Sequence, residues 1–189
     1  MEYVDLGLSV CWGTCNLGAA GEDEFGDYLS WGELSPKCRY DWDTYRLCDG
    51  SENGLTAYTG HLGEDVTLCL EDDLAAVSLG DGWRLPTIRE WKDLAENCTM
   101  RPCSIGGHAG YRFESKVPGF EGRSIFIPSG GMKYAGVHVF AGKLGRYWSS
   151  SRDKGFPKFA SCMLMTEQGT VADRYLRCNG LPVRPVFSK

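Results

Sequence analysis

Long apolar runs are missing from this chain: no window reaches the roughly 18 residues that a membrane-spanning helix needs, so no span is expected. Glycine-rich phosphate cradles are missing as well, since neither GxxxxGKS nor GxGxxG occurs. The acidic run Glu71-Asp72-Asp73 lacks the DxDxDG spacing of a calcium loop. No CxxC pair exists among the nine cysteines, and Cys11 and Cys15 have no second pair or neighbouring His to complete a zinc ligand set. Histidine is scarce. His61, His108 and His138 stand far from one another and from any nucleophile motif, so they read as loop or surface residues. No two carboxylates stand out for acid and base roles. These absences speak against nucleotide, metal and triad chemistry, and no cofactor is expected. Linkers, charge blocks, internal repeats and low-complexity tracts are also absent, so residues 1–189 are read as one domain.

What the chain does have is aromatic residues and glycine. Six Trp, nine Tyr and 25 Gly indicate short aromatic strands joined by many tight turns, with more loop than regular structure. A hydrophobic share of 42% is enough for a buried core. Nine cysteines is an odd number, so at least one thiol is unpaired within a monomer. The opening MEYVDLGLSV has neither the charged start nor the apolar run of a secretory signal. A net charge of −5 speaks against general affinity for nucleic acid. The charge is uneven: residues 143–189 hold nine Lys/Arg against three Asp/Glu, while the first 142 residues hold 11 against 22. Such a basic quarter on an acidic body either balances neighbouring acids or offers a contact surface.

The stretch from Trp83 to Cys98 fixes its own conformation. Pro86 disfavours a helical residue before it, Thr87 can N-cap, and Glu90 three positions on closes a capping box. Ile88, Trp91, Leu94, Ala95 and Cys98 then fall on one apolar stripe, with Arg89, Lys92, Asp93 and Glu96 on the wet face. The helix organises the core and is not expected to react. Ahead of it, Leu70 to Leu79 reads as a short helix whose three leading acids match the helix dipole. One or two strands are expected in residues 3–17 and another in 27–33, followed by a long surface excursion over 34–63. After the helix come strands at GYRFESKV and SIFIPSGG, and then YWSSS as a strand end opening into a polar loop. FASCMLMTEQGTVADRYLRC reads as a hairpin around Gln168-Gly169. The closing LPVRPVF has two prolines and suits only an edge or short strand.

VDLGL, WGTCNLG, GDYLSWGE, EDDLAAV, WRLPTIREW, NCT, SIFIPSGG, YWSSS and VRPV occur in an order that resembles the Fibrobacter succinogenes major paralogous domain family of gut Bacteroidetes. The likeness covers nearly the whole chain. RLPT followed by a helical EW is shared more widely with formylglycine-generating-enzyme-like domains. The resemblance implies an α+β, C-type lectin-like fold with two helices, a small twisted, mostly antiparallel sheet and much irregular loop. It also implies an exposed face between YWSSS and VRPV, which in some relatives is the variable target of diversity-generating retroelements. The positions that correspond are Arg152, Lys154, Phe156, Lys158, Phe159, Asp173, Arg174, Tyr175 and Arg177, a mixture of charge and aromatic surface that suits binding hot spots.

The expectation is therefore a non-enzymatic binding or adhesion module on a cell surface or phage particle, whose partner is a protein or glycan on another cell or particle. Calcium-dependent sugar binding is not predicted, because the EPN and QPD triplets of lectins are absent. The alternative is a formylglycine-generating-enzyme-like oxidase. That chemistry needs a close reactive cysteine pair, and the C-terminal candidates Cys162 and Cys178 lie 16 residues apart.

Overall fold

The computed structural model describes residues 1–189, along which fourteen mostly short strands and two helices follow one another. First come β1 (Tyr3–Val4), β2 (Val10–Gly13) and β3 (Tyr28–Leu29), then a long irregular stretch, α1 (Leu74–Leu79), β4 (Trp83–Arg84) and α2 (Ile88–Asn97). There follow β5 (Cys98–Ile105), β6 (His108–Ser115), β7 (Ser124–Pro128), β8 (Met132–Tyr134) and β9 (Val137–Val139). The chain ends with β10 (Gly145–Arg152), β11 (Phe159–Thr166), β12 (Gly169–Leu176), β13 (Leu181–Pro182) and β14 (Val186–Ser188). The architecture is α+β. Its strands form small antiparallel sheets: β1-β2-β14-β4, β5-β6-β7, β10-β11-β12 and the pairs β13-β3 and β8-β9. No helix is long and apolar enough to cross a membrane.

The β10-β11-β12 sheet divides the interior, because alternate residues of a strand point to opposite faces. On one face Tyr147, Met163 and Met165 join Trp12, Trp91 and Leu94 in the first core. On the other, Trp148, Ala160 and Cys162 join Leu29, Trp31 and Val183 in the second. Two tryptophans tie the layers together: Nε1 of Trp91 donates to the carbonyl of Trp148 at 3.2 Å, and Nε1 of Trp148 to that of Leu29 at 2.7 Å.

The central helix forms as its sequence dictates. Thr87 caps it, its hydroxyl accepting the Glu90 N–H, while the Glu90 carboxylate accepts the Thr87 N–H at 2.7 Å. Trp91 and Leu94 on the predicted stripe are buried, and Cys98 is buried as the first residue of β5. Glu90 also grips Arg84 through two charge-assisted hydrogen bonds of 2.8 and 2.5 Å, which locks the helix start to β4.

Several expectations need correction. Residues 70–79 are not one helix but a 3-10 turn, Leu70–Asp72, followed by α1. Asp73 is the cap between them: its carboxylate takes the N–H groups of Ala75 and Ala76 and, across the chain, that of Leu85 at 2.7 Å. The 34–63 segment is irregular, yet it is not simply a surface excursion. Tyr40 and Tyr45 are buried, with their hydroxyls donating to the carbonyls of Tyr28 and Trp31. YWSSS is a strand end that opens into the 153–158 loop as expected, with β10 running one residue further, to Arg152, and with Ser149 and Ser150 buried. The Ser149 hydroxyl is satisfied by the Ser161 carbonyl at 2.7 Å. The closing segment forms short strands as expected, and β14 lies between β2 and β4. β5 was not legible because Pro102 interrupts its pattern. A proline is tolerated there because β5 is an edge strand.

Candidate functional site

The sequence-predicted face falls on the 153–158 loop and on β12, the free edge of its sheet. The loop is shaped locally: the Asp153 carboxylate accepts the N–H groups of Gly155 and Phe156 at 3.0 and 2.8 Å, turning the chain back into β11. Phe156 is 49% exposed at the loop tip. The Arg174 guanidinium, on β12, stacks over the Phe156 ring at 4.5 Å and reaches Phe159 at 5.4 Å. Arg174 also lies 3.7 Å from the Asp153 carboxylate.

Two of the nine candidate residues do not belong to this surface. Arg152 and Arg177 are 2% and 0% exposed. Arg152 spans inward to the carbonyls of Tyr58, Gly60 and His61 at 3.2, 3.1 and 2.8 Å. Arg177 donates to the carbonyls of Ala57 and Pro157 and to the Tyr45 hydroxyl. Its guanidinium also sits 4.7 Å from the Trp31 ring centre. Both arginines hold the 57–61 backbone, where Tyr58 adopts a positive φ of 56° that a non-glycine residue seldom takes. A buried guanidinium with several carbonyl partners satisfies loop groups that would otherwise stay unpaired, so these are positioning residues.

Strand alternation removes two more. Asp173 and Tyr175 point to the face of β12 opposite Arg174 and meet Arg146, which pairs with Asp173 at 3.1 Å and stacks on Tyr175 at 4.4 Å. Burial pushes the Tyr175 phenol up from its usual range. Lys158 is half-buried and pairs with Glu52 at 2.9 Å. Lys154, Phe156 and Arg174 remain as the exposed group, with Phe159 beneath them.

Much of the basic C-terminal segment is internal electrostatics. Residues 47–83 contain no Lys or Arg and eight Asp/Glu. That acidic stretch is strapped to the basic one by Lys154–Asp65 at 2.7 Å and Lys158–Glu52, with a β-bridge between Thr67 and Ser151. The same strap brings up two residues that sequence reasoning missed. Leu62, 67% exposed, precedes Gly63, whose N–H donates to the Lys154 carbonyl at 2.8 Å. Lys92, on α2, lines an open cleft of about 390 Å³ with Lys154, Arg174, Asp153 and Ser161. Neither carries a local signal, because each acquires its meaning from a neighbour remote in sequence.

Cys162 and Cys178 do not come together as a pair. Cys162 lies in the second core and Cys178 in a separate small cluster with Tyr45 and Leu47. Burial pushes both thiols up to about 12, away from the thiolate form. A separate cleft of about 520 Å³ is lined by Leu70, Val77 and Trp83 with Glu71 and Asp81, and it contains none of the candidate residues. Comparison of the chain with protein-family models, with curated proteins and with solved structures finds no match.

Proposed function

We propose that this chain is a non-enzymatic binding or adhesion module, a C-type lectin-like domain of the Fibrobacter succinogenes major paralogous domain type, displayed on a cell surface or phage particle. The ordered motifs from VDLGL to VRPV support the family, and two helices with small antiparallel sheets agree with the fold it implies. Its contact face is Lys154, Phe156 and Arg174 with Leu62 beside them, and its ligand is a protein or glycan on another cell or particle.

The observation that carries this reading is the exposed Phe156–Arg174 stack on a loop and strand edge backed by buried Arg152 and Arg177. A planar cation on an aromatic ring is a pre-ordered contact, so little conformational entropy is lost when a partner covers it. Exchange of these side chains leaves both cores untouched, which suits a variable-type surface of the kind diversity-generating retroelements rewrite. Separate clusters and raised thiols for Cys162 and Cys178 weigh against the oxidase alternative.

The test is to replace Lys154, Phe156 and Arg174 together by Ser and compare labelled wild-type and variant protein on bacterial cells and immobilised glycans. Loss of binding with an unchanged melting temperature is expected. Retained binding by a folded variant removes this face from consideration.

A further inference from the structure

The contact face has a charge asymmetry that names its partner more closely, and this inference rests on the binding reading above. Around the cleft between α2 and the 153–158 loop stand Arg89, Lys92, Lys154 and Arg174. Two carboxylates answer them. Asp65 is shared between Lys154 at 2.7 Å and Arg89 at 3.5 Å. Asp153 serves two loop N–H groups before it meets Arg174 at 3.7 Å. Asp173 contributes to the cleft wall, but its carboxylate is held by Arg146 on the far side of β12. Glu64 accepts the His61 N–H at 3.1 Å in the turn that buried Arg152 holds. Lys92 has no carboxylate within 4.0 Å. A positive excess therefore persists at this cleft of a protein whose net charge is −5.

Apolar surface flanks the charge. Leu62 and Phe156, 67% and 49% exposed, stand on the two loops that meet at the Gly63–Lys154 hydrogen bond. A cationic cleft with exposed apolar side chains on the loops beside it, Phe156 under Arg174 and Leu62 next to the Gly63–Lys154 bond, complements a carboxylate carried among aliphatic neighbours, which is the surface chemistry of a protein partner. We infer that the cleft bounded by Lys92, Lys154 and Arg174 receives an Asp or Glu side chain of a protein partner, with Leu62 and Phe156 covering the aliphatic residues beside it. Lys92 supplies the uncompensated charge, Ser161 lines the same cleft as a neutral hydroxyl, and Arg174 keeps its stack on Phe156 while offering its outer N–H groups.

The experiment titrates the isotopically labelled 189-residue chain with three probes, followed by amide chemical-shift mapping. The first is a capped tripeptide with aspartate between two leucines, the second its lysine counterpart, and the third a sulfated disaccharide. The aspartate peptide is expected to give saturable shifts at Lys92, Lys154, Ser161 and Ala172, weakening with added salt. A Lys92→Ala/Lys154→Ala variant that keeps its spectrum is expected to bind it about fivefold more weakly, in line with two exposed charge contacts. If the lysine peptide or the disaccharide shifts the same amides as strongly, the face stands and the carboxylate assignment falls. If no probe shifts any residue of this face, or shifts saturate only elsewhere, the inference and the contact face both fall.

Discussion

Arg174 and Phe156 meet at the protein surface with guanidinium and ring centre 4.5 Å apart, so the cation sits over an aromatic that is itself half exposed. Three residues further on, Arg177 makes the same kind of contact with Trp31 at 4.7 Å, but inside the protein. The two arginines are chemically identical and differ only in what surrounds them. Removing each has a different consequence.

Arg177→Ala leaves the Ala57 and Pro157 carbonyls and the Tyr45 hydroxyl short of a partner, and it empties a space beside Trp31. A loss of about 3 kcal/mol in unfolding free energy is expected from the unsatisfied buried groups. Arg174→Ala, being a surface change, is expected to stay within about 0.5 kcal/mol of wild type. Urea denaturation of the two variants side by side measures the difference. Equal stabilities would mean that the interior arginine is not holding the 57–61 backbone.

Glu90 gives a pH signature. Burial raises its carboxyl, but the hydrogen bonds from Arg84 and Thr87 outweigh that and hold it below the usual range. With the folded value beneath an unfolded value of about 4.3, its stabilisation is complete above that pH and is lost as pH falls through the folded value. Glu90→Gln is expected to cost about 1–2 kcal/mol at neutral pH, from the weakened charge-assisted bonds. The gap between variant and wild type is expected to narrow as the pH is lowered from about 5 to about 3. A gap constant across that range would show that ionised Glu90 contributes nothing beyond its shape.

Thiol titration tests the burial of the cysteines. Cys38 and Cys69 are exposed and are expected to react quickly with a chromogenic disulfide in the native protein. Cys11, Cys98, Cys162 and Cys178 are buried, and burial raises the Cys98 thiol to about 11 and the Cys162 and Cys178 thiols to about 12. These four are expected to react only after denaturation, and Cys15, Cys48 and Cys103 at intermediate rates. Fast native labelling of Cys162 would contradict the burial of its β11 side chain in the second core.

Trp91 links the central helix to the sheet by packing and by its Nε1 bond to the Trp148 carbonyl. Trp91→Ala is expected to destabilise by about 3–5 kcal/mol, the usual cost of emptying a buried aromatic site. Calorimetry reads this as a large drop in melting temperature. A small one would mean that the site refills.

What could be read from the residues is what is local. Thr87 and Glu90 are three positions apart and determine each other, so the helix start was legible to the residue. The hairpin around Gln168-Gly169 was legible because its two strands adjoin in the chain. That the closing strand would be short was legible from its prolines, but its central place in the sheet was not, because its neighbours, Cys11 and Trp83, are far away in sequence. The same limit applied at the face. Arg152 stands among polar residues and Arg177 ends a segment that carries Asp173 and Arg174, so both look like surface arginines, yet their partners at 57–61 lie about ninety to 120 positions earlier. Asp173 and Tyr175 were grouped with Arg174 by proximity along the chain, whereas strand pleating sends them to the other side.

The inward pair Arg152 and Arg177 also bears on how this surface can change. Both lie within three residues of exposed positions, such as Lys154 and Arg174, whose partners are other surface side chains. Tolerance for replacement must therefore alternate over very short distances, like open and closed squares on one board. Wholesale shuffling of residues 152–177 would cost the fold, while exchange at the outward positions alone would yield many surfaces on a single frame.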